Sequence, residues 1–140
     1  MIEVRQLCRS FGPKPILEDV SFRIERGEST VIIGRSGGGK SVLLKHLIGL
    51  LMPDSGAVLI DGENITGMNE LELLCVRSRF GMVFQGAALF DSMTVAENVA
   101  FPLVRQRQLT PAQIASRVSE ALEMVELPGT EAKRPSELSG

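Results

Sequence analysis

Apolar residues recur along this chain with two different periods, and the change from one to the other marks its elements. Ile2 and Val4, then Val20, Phe22 and Ile24, alternate with polar positions as half-buried strands do, and Gly12-Pro13-Lys14-Pro15 supplies the turn between them. This opening predicts an antiparallel pair. The unbroken β-branched run at 30–33 predicts a strand covered on both faces, as in a parallel sheet. Over 40–51, Leu43, Leu44, Leu47, Ile48 and Leu51 fall on one face of a helix that stops before Pro53-Asp54-Ser55-Gly56. Residues 57–60 form another predicted strand, closed by the Asp61-Gly62 turn. A short helix over 70–79 and a buried strand over 81–84 follow, and polar Gln85 comes next. Thr94 and Glu97 form a capping box for a helix reaching about 104, and Thr110 and Gln113 form a second one with Pro111 at the first helical position. Ile114, Val118, Ala121, Leu122 and Val125 make one stripe of that last helix, which Pro128-Gly129 ends. The chain therefore reads β-rich first, α/β in the middle and helical at the end, with no internal repeat.

Composition narrows the class. The 140 residues are 44% hydrophobic and 23% charged, which excludes disorder and fits one soluble domain or part of a larger one. Lys and Arg total 15 against 17 Asp and Glu, and a net charge of -2 gives no electrostatic case for nucleic acid or an anionic membrane surface. No apolar run approaches the roughly 20 residues of a membrane span, and the N-terminus lacks a secretion signal's apolar core, so the cytosol is the expected compartment. Cys8 and Cys75 stand in no metal-binding or CxxC spacing and read as small buried apolar residues. Met68, Met82, Met93 and Met124 read as core fillers, Arg105 and Arg107 as a solvated helix end, and His46 as a surface histidine.

The chemistry concentrates between the second predicted strand region and the first helix. Gly34-Arg35-Ser36-Gly37-Gly38-Gly39-Lys40-Ser41 matches the phosphate-loop pattern GxxxxGK[ST] in full, in the strand–loop–helix context that makes such a match specific. Glycines allow positive φ and turn successive N–H groups toward one point, while the helix starting near Lys40 adds its positive dipole end. Such a loop suits a polyphosphate, with Lys40 reaching the β and γ oxygens and the Ser41 hydroxyl ligating Mg²⁺. The loop alone does not choose between a kinase, a GTPase and an ATPase.

Three further features do. Phe11 precedes the second strand, where a ring can stack on a purine; Gln85 ends a buried strand; and Leu138-Ser139-Gly140 follows a helical segment. With Lys40, these resemble the ATP-binding subunits of ABC transporters, in the order aromatic A-loop, Walker A, Q-loop and the start of the LSGGQ signature. The resemblance covers the whole chain and departs from the family pattern at Phe11, where tyrosine is usual. It implies an α/β fold: a P-loop NTPase core with an N-terminal antiparallel β-subdomain (the two together about 1–85) and part of a helical subdomain (about 86–140). It further implies that Gly34, Ser36, Gly37, Gly38, Gly39, Lys40, Ser41 and Val42 hold ATP, with Phe11 on the base. Gln85 would contact Mg²⁺ or the attacking water, and Ser139 would reach the γ-phosphate of a paired second cassette in a homodimer.

The runs at 34–51 and 83–103 look most like the ATPases of Mla/Mce-type (toluene-tolerance) systems, which move phospholipids or other lipids in bacterial envelopes. That resemblance implies a transmembrane permease as partner, a cytoplasmic location on the inner face of the cell membrane, and a docking groove near Leu89, Phe90, Met93 and Phe101. The alternatives are the ATPase of another ABC importer or exporter, a soluble ABC ATPase without a permease, and a purely structural nucleotide-binding module. The Walker B aspartate, catalytic glutamate, D-loop and switch histidine of the family follow the signature. The stretch therefore reads as truncated, the expectation being that the complete protein hydrolyses ATP and this stretch alone does not, its two apolar strand edges unpaired and prone to self-association.

Overall fold

The computed structural model describes residues 1–83, 88–106 and 108–138. Strands β1 (Ile2–Phe11) and β2 (Lys14–Ile24) come first, then helix α1 (Lys40–Leu47), strands β3 (Ser55–Ile60) and β4 (Glu63–Asn64), and helices α2 (Glu70–Arg77), α3 (Val95–Gln106) and α4 (Pro111–Met124). A short 3-10 turn at Pro135–Glu137 follows. The residues fall into two compact units, Met1–Met82 and Val83–Gly140. Among the described residues no helix is long and apolar enough to cross a membrane.

In the first unit the strands form one antiparallel sheet in the order β2-β1-β3-β4. The predicted hairpin is present, with Gly12 at φ 59° in the first position of a two-residue turn, where glycine is favoured. Asp61 (φ 52°) and Gly62 (φ 86°) make the tight turn from β3 to β4. The alternation along β1 breaks at Gln6, whose φ of 46° marks a bulge between Val4 and Leu7. Its backbone N–H donates to Ser21 Oγ at 2.8 Å. The bulge turns Leu7, three residues after Val4, to the same buried side, and both pack with Leu17, Leu43, Leu47, Val58, Ile60, Ile65, Leu73 and Val76.

Asp61 gathers three cations: the Met1 ammonium at 2.7 Å, Arg26 at 3.0 Å and, more distantly, Arg79 at 3.9 Å. The hydrogen bond from the Met1 ammonium, then that from Arg26, hold its carboxyl below the ordinary 3.8. A carboxylate with a depressed folded-state pKa adds stability that is complete above the unfolded value and is lost as pH falls through the folded one. Urea midpoints of the wild type should therefore drop below about pH 4, and Asp61→Asn should remove part of that drop while lowering the midpoint at neutral pH. Identical pH profiles for the two proteins would contradict the assignment.

In the second unit α3 and α4 pack through Val95, Val118 and Leu122, with Val99, Ala100, Ile114 and Leu138 around them. Both predicted capping boxes exist. Thr94 N–H donates to Glu97 at 2.7 Å and Glu97 N–H to Thr94 Oγ1 at 3.2 Å. Thr110 N–H donates to Gln113 at 2.8 Å, and Gln113 N–H returns to Thr110 Oγ1 at 3.4 Å.

Several expectations are corrected. Residues 30–33 and 81–83 are not strands here, and Val31, Ile33 and Val83 are 80%, 89% and 93% exposed. A strand exists only through its neighbours, and the described residues supply no ladder partner for either run. Helix α1 ends at Leu47 rather than 51, α2 at Arg77 and α4 at Met124, and Met124 and Val125 at the end of α4 are exposed; Leu44, within α1, is exposed because the helix buries Leu43, His46 and Leu47 instead. Met124 is therefore no core filler. Cys75 is also exposed, on the outer side of α2. His46, in contrast, is 1% exposed: it lies three residues after Leu43 and one before Leu47, on the helix face that meets the core.

Candidate functional site

The loop at 34–39 takes its shape from its glycines and from the sheet beneath it. Gly37 (φ 75°) and Gly39 (φ 84°) adopt left-handed conformations that side chains disfavour. A Cβ at Gly39 would also meet the Ile16 carbonyl at 3.0 Å and Leu17 Cδ2 at 3.1 Å, so the loop lies directly on β2. The turn closes through Gly38 N–H to the Arg35 carbonyl at 3.0 Å, and a Cβ at Gly38 would crowd that same oxygen. Gly34, Ser36, Gly37, Gly38 and Ser41 are exposed, Lys40 and Val42 are half-buried, and Gly39 is buried.

Helix α1 begins at Lys40 with Gly39 as N-cap, no capping side chain and no acidic residue in its first turn. The other three helices differ. Asn69 caps α2 in a complete box, Thr110 caps α4, and α3 has Thr94 and Glu97 as well as the Lys133 and Glu131 carbonyls on its first amides. The N–H groups at a helix start require acceptors, so among the described α-helices α1 alone presents unneutralised donors and a positive dipole end to an incoming anion. The Lys40 ammonium reinforces them, folded back onto the Gly34 and Arg35 carbonyls at 2.8 Å each. Those two acceptors keep a cation at the mouth of the loop.

The donor set fits a magnesium–polyphosphate. The 34–41 stretch offers backbone amides, the Lys40 ammonium and the exposed Ser36 and Ser41 hydroxyls, and among the described residues no cluster of three His, Cys, Asp or Glu side chains competes for a metal. Mg²⁺ keeps water and phosphate oxygens as most of its ligands, so one protein hydroxyl, Ser41, is a sufficient share.

Phe11 closes β1 and is 46% exposed, with the Arg9 guanidinium 5.0 Å from its ring centroid. Gln85 and Ser139 lie outside the described residues. In the second unit Leu89 and Phe90 are exposed, and Phe90 packs on Phe101 with ring centroids 4.9 Å apart. Arg105 stacks over Phe101 at 4.9 Å, so this arginine is stacked as well as solvated, while Arg107 is not described. The Asn98 amide holds the preceding loop by accepting from Phe90 N–H at 2.8 Å and donating to the Thr94 carbonyl at 2.9 Å.

Behind the loop, His46 Nδ1 lies 2.7 Å from the Val42 carbonyl, and its Nε2 is buried without a partner. Sequence reasoning passed over the partners of Phe11. The available signal was weak: Arg9 lies two residues before Phe11 on the same strand, and its counterion Asp54 is 45 residues away.

Comparison with known proteins gives a consistent picture. The family model described as "ABC transporter" matches residues 17–140. The Mycobacterium leprae protein named "Probable ribonucleotide transport ATP-binding protein mkl" is 48% identical over 139 residues, covering 99% of this chain and 40% of that protein. The Escherichia coli K12 intermembrane phospholipid transport system ATP-binding protein MlaF is 41% identical over 140 residues, covering 100% of this chain and 52% of its own. The chain thus spans about half or less of the length of these curated relatives. Among solved structures, a dimeric post-hydrolysis state of the ATP-binding cassette MJ0796, bound to ADP and Pi, superposes with a TM-score of 0.85 at 30% identity, covering 99% of this chain and 63% of that one.

Proposed function

Because the chain belongs to the ABC transporter family, we propose that its 34–41 loop binds the triphosphate of ATP with Mg²⁺, in an ATPase subunit that powers transport of phospholipid or another lipid. The observation that carries the nucleotide reading is the bare N-terminus of α1, the one α-helix start among the described residues left without side-chain acceptors, with Lys40 folded beside it. When bound, ATP would supply the bond whose hydrolysis drives the cycle, and Mg²⁺ would offset the charge of its phosphates. Gly37, Gly39, Lys40 and Ser41 present backbone N–H groups to the phosphate oxygens, while the Gly38 N–H holds the turn on the Arg35 carbonyl. Lys40 exchanges its two carbonyl acceptors for β and γ oxygens, a short movement of a charge already in place. Gly34, Ser36 and Val42 complete the cradle, Ser41 offers its hydroxyl to Mg²⁺, and Phe11 stacks on the base. Gln85 orients the attacking water or Mg²⁺, and Ser139 serves the nucleotide of a second cassette in a homodimer. The dimeric cassette bound to ADP and Pi supports that arrangement.

The lipid reading is supported by the 41% identity to a phospholipid transport ATP-binding protein. It carries a membrane permease as partner and a peripheral location on the cytoplasmic face of the membrane. The ribonucleotide-transport name of the mycobacterial relative favours the second reading, an ABC transporter for another substrate. A deletion strain should become sensitive to detergents and accumulate phospholipid in its outer leaflet, and the tagged protein should co-purify with a permease. A strain that lost only uptake of a nucleotide or sugar would move the assignment to the second reading, and purification without any permease would indicate a soluble ATPase.

A further inference from the structure

One aspartate fastens the end of β1. Asp54 N–H donates to the Cys8 carbonyl at 2.9 Å, Asp54 Oδ2 accepts from Ser10 N–H at 2.7 Å, and Asp54 Oδ1 accepts from the Arg9 guanidinium at 2.7 Å. Three consecutive strand residues are thereby tied to a single side chain and its backbone. The guanidinium held in this way lies over the Phe11 ring, 5.0 Å from its centroid, yet Arg9 Nε is buried and has no acceptor among the described residues. Buried donors are rarely left unpaired. The ion pair and the ring therefore set the plane of this guanidinium, at the expense of one hydrogen bond.

Phe11 lies on the strand that pairs with the one beneath the 34–39 loop. Leu17, which pairs with Arg9, is one of the residues on which Gly39 packs. Phe11 is two residues beyond Arg9, about 7 Å along the strand. A cation over one face of a ring draws π density toward itself, leaving the other face less repulsive to the π cloud of a purine. We propose that Arg9 is a positioning residue for the nucleobase: fixed by Asp54, it orients Phe11 and conditions the ring's free face for stacking on a purine. This rests on the reading of Phe11 as the base-stacking residue.

The test is calorimetric titration of the full-length protein with Mg·ATP and, separately, with Mg·tripolyphosphate, which has the phosphates but no base. Arg9→Gln keeps an N–H donor for Asp54 and loses the cation, and should weaken ATP about threefold to tenfold with tripolyphosphate unchanged. Arg9→Lys keeps a cation over the ring and should stay within about twofold of wild type. Phe11→Leu should weaken ATP alone, and adding Arg9→Gln to it should cost nothing further, because Arg9 acts through the ring. If Phe11→Leu weakens ATP and Arg9→Gln does not, the role of Arg9 is overturned while Phe11 keeps its own. If Phe11→Leu leaves ATP unchanged, the base-stacking reading falls and the proposal with it. Equal weakening of both ligands by Arg9→Gln, additive losses in the double variant, or a Gln-like loss in Arg9→Lys would each overturn it in favour of a structural role or direct contact. Partial unfolding of a variant weakens both ligands by the same factor, so the ratio of the ATP and tripolyphosphate constants is the quantity compared.

Discussion

Lys40→Ala in the full-length protein is expected to lower the rate of ATP hydrolysis at least ~100-fold, the scale on which removal of one preorganised charge donor acts. The Lys40 ammonium is already at the loop, on the Gly34 and Arg35 carbonyls at 2.8 Å, and the charge it meets grows as the γ-phosphoryl group transfers. Alanine removes that charge but leaves the glycine conformations and the α1 N-terminus in place, so some nucleotide affinity should survive while turnover is lost. Phosphate release measured on purified wild type and variant checks the prediction. Turnover near wild type would remove Lys40 from the chemistry.

Gly56→Ala should be among the most destabilising single substitutions in the first unit, costing on the order of 3–5 kcal/mol. Gly56 has φ 88°, and a Cβ there would stand 2.3 Å from the Gln6 carbonyl oxygen and 2.5 Å from that of Arg5. Both contacts are backbone, at the bulge that turns Leu7 inward, so relief requires moving β1 against β3. Gly62 makes a useful control: its φ of 86° is equivalent, but nothing lies within 4 Å of a Cβ there. Gly62→Ala should cost only the conformational term, about 1–2 kcal/mol. Urea unfolding of the two variants separates clash from strain, and equal losses would mean that Gly56 does not serve the bulge.

Features whose signal is local were legible in the sequence. The hairpin follows from alternation plus Gly12-Pro13, the Asp61-Gly62 turn from its dipeptide, and the starts of α3 and α4 from two capping boxes, because each is decided by contacts within a few residues. The 34–39 loop was readable in part: its run of glycines announces positive φ, which Gly37 and Gly39 adopt and Gly34 and Gly38 do not. What failed to show was non-local. The runs at 30–33 and 81–83 have the composition of covered strands, but pairing depends on neighbours the pattern cannot specify. The bulge at Gln6 puts a non-glycine residue at positive φ, which no residue type announces. His46 read as polar and outward, whereas its Nδ1 is satisfied by the helix's own Val42 carbonyl and the ring can therefore enter the core. The Arg9–Asp54 pair joins β1 to the segment before β3 across 45 residues, so only the folded chain brings it to Phe11.

A crystal structure of the full-length protein with Mg²⁺ and a non-hydrolysable ATP analogue shows whether 34–41 holds a nucleoside triphosphate. Expected are β- and γ-phosphate oxygens within hydrogen-bond distance of the Gly37, Gly39, Lys40 and Ser41 backbone N–H groups, Ser41 Oγ on Mg²⁺, and the Lys40 ammonium transferred from the Gly34 and Arg35 carbonyls to phosphate. A nucleotide bound elsewhere, with Lys40 still on those two carbonyls, would contradict the phosphate-loop reading.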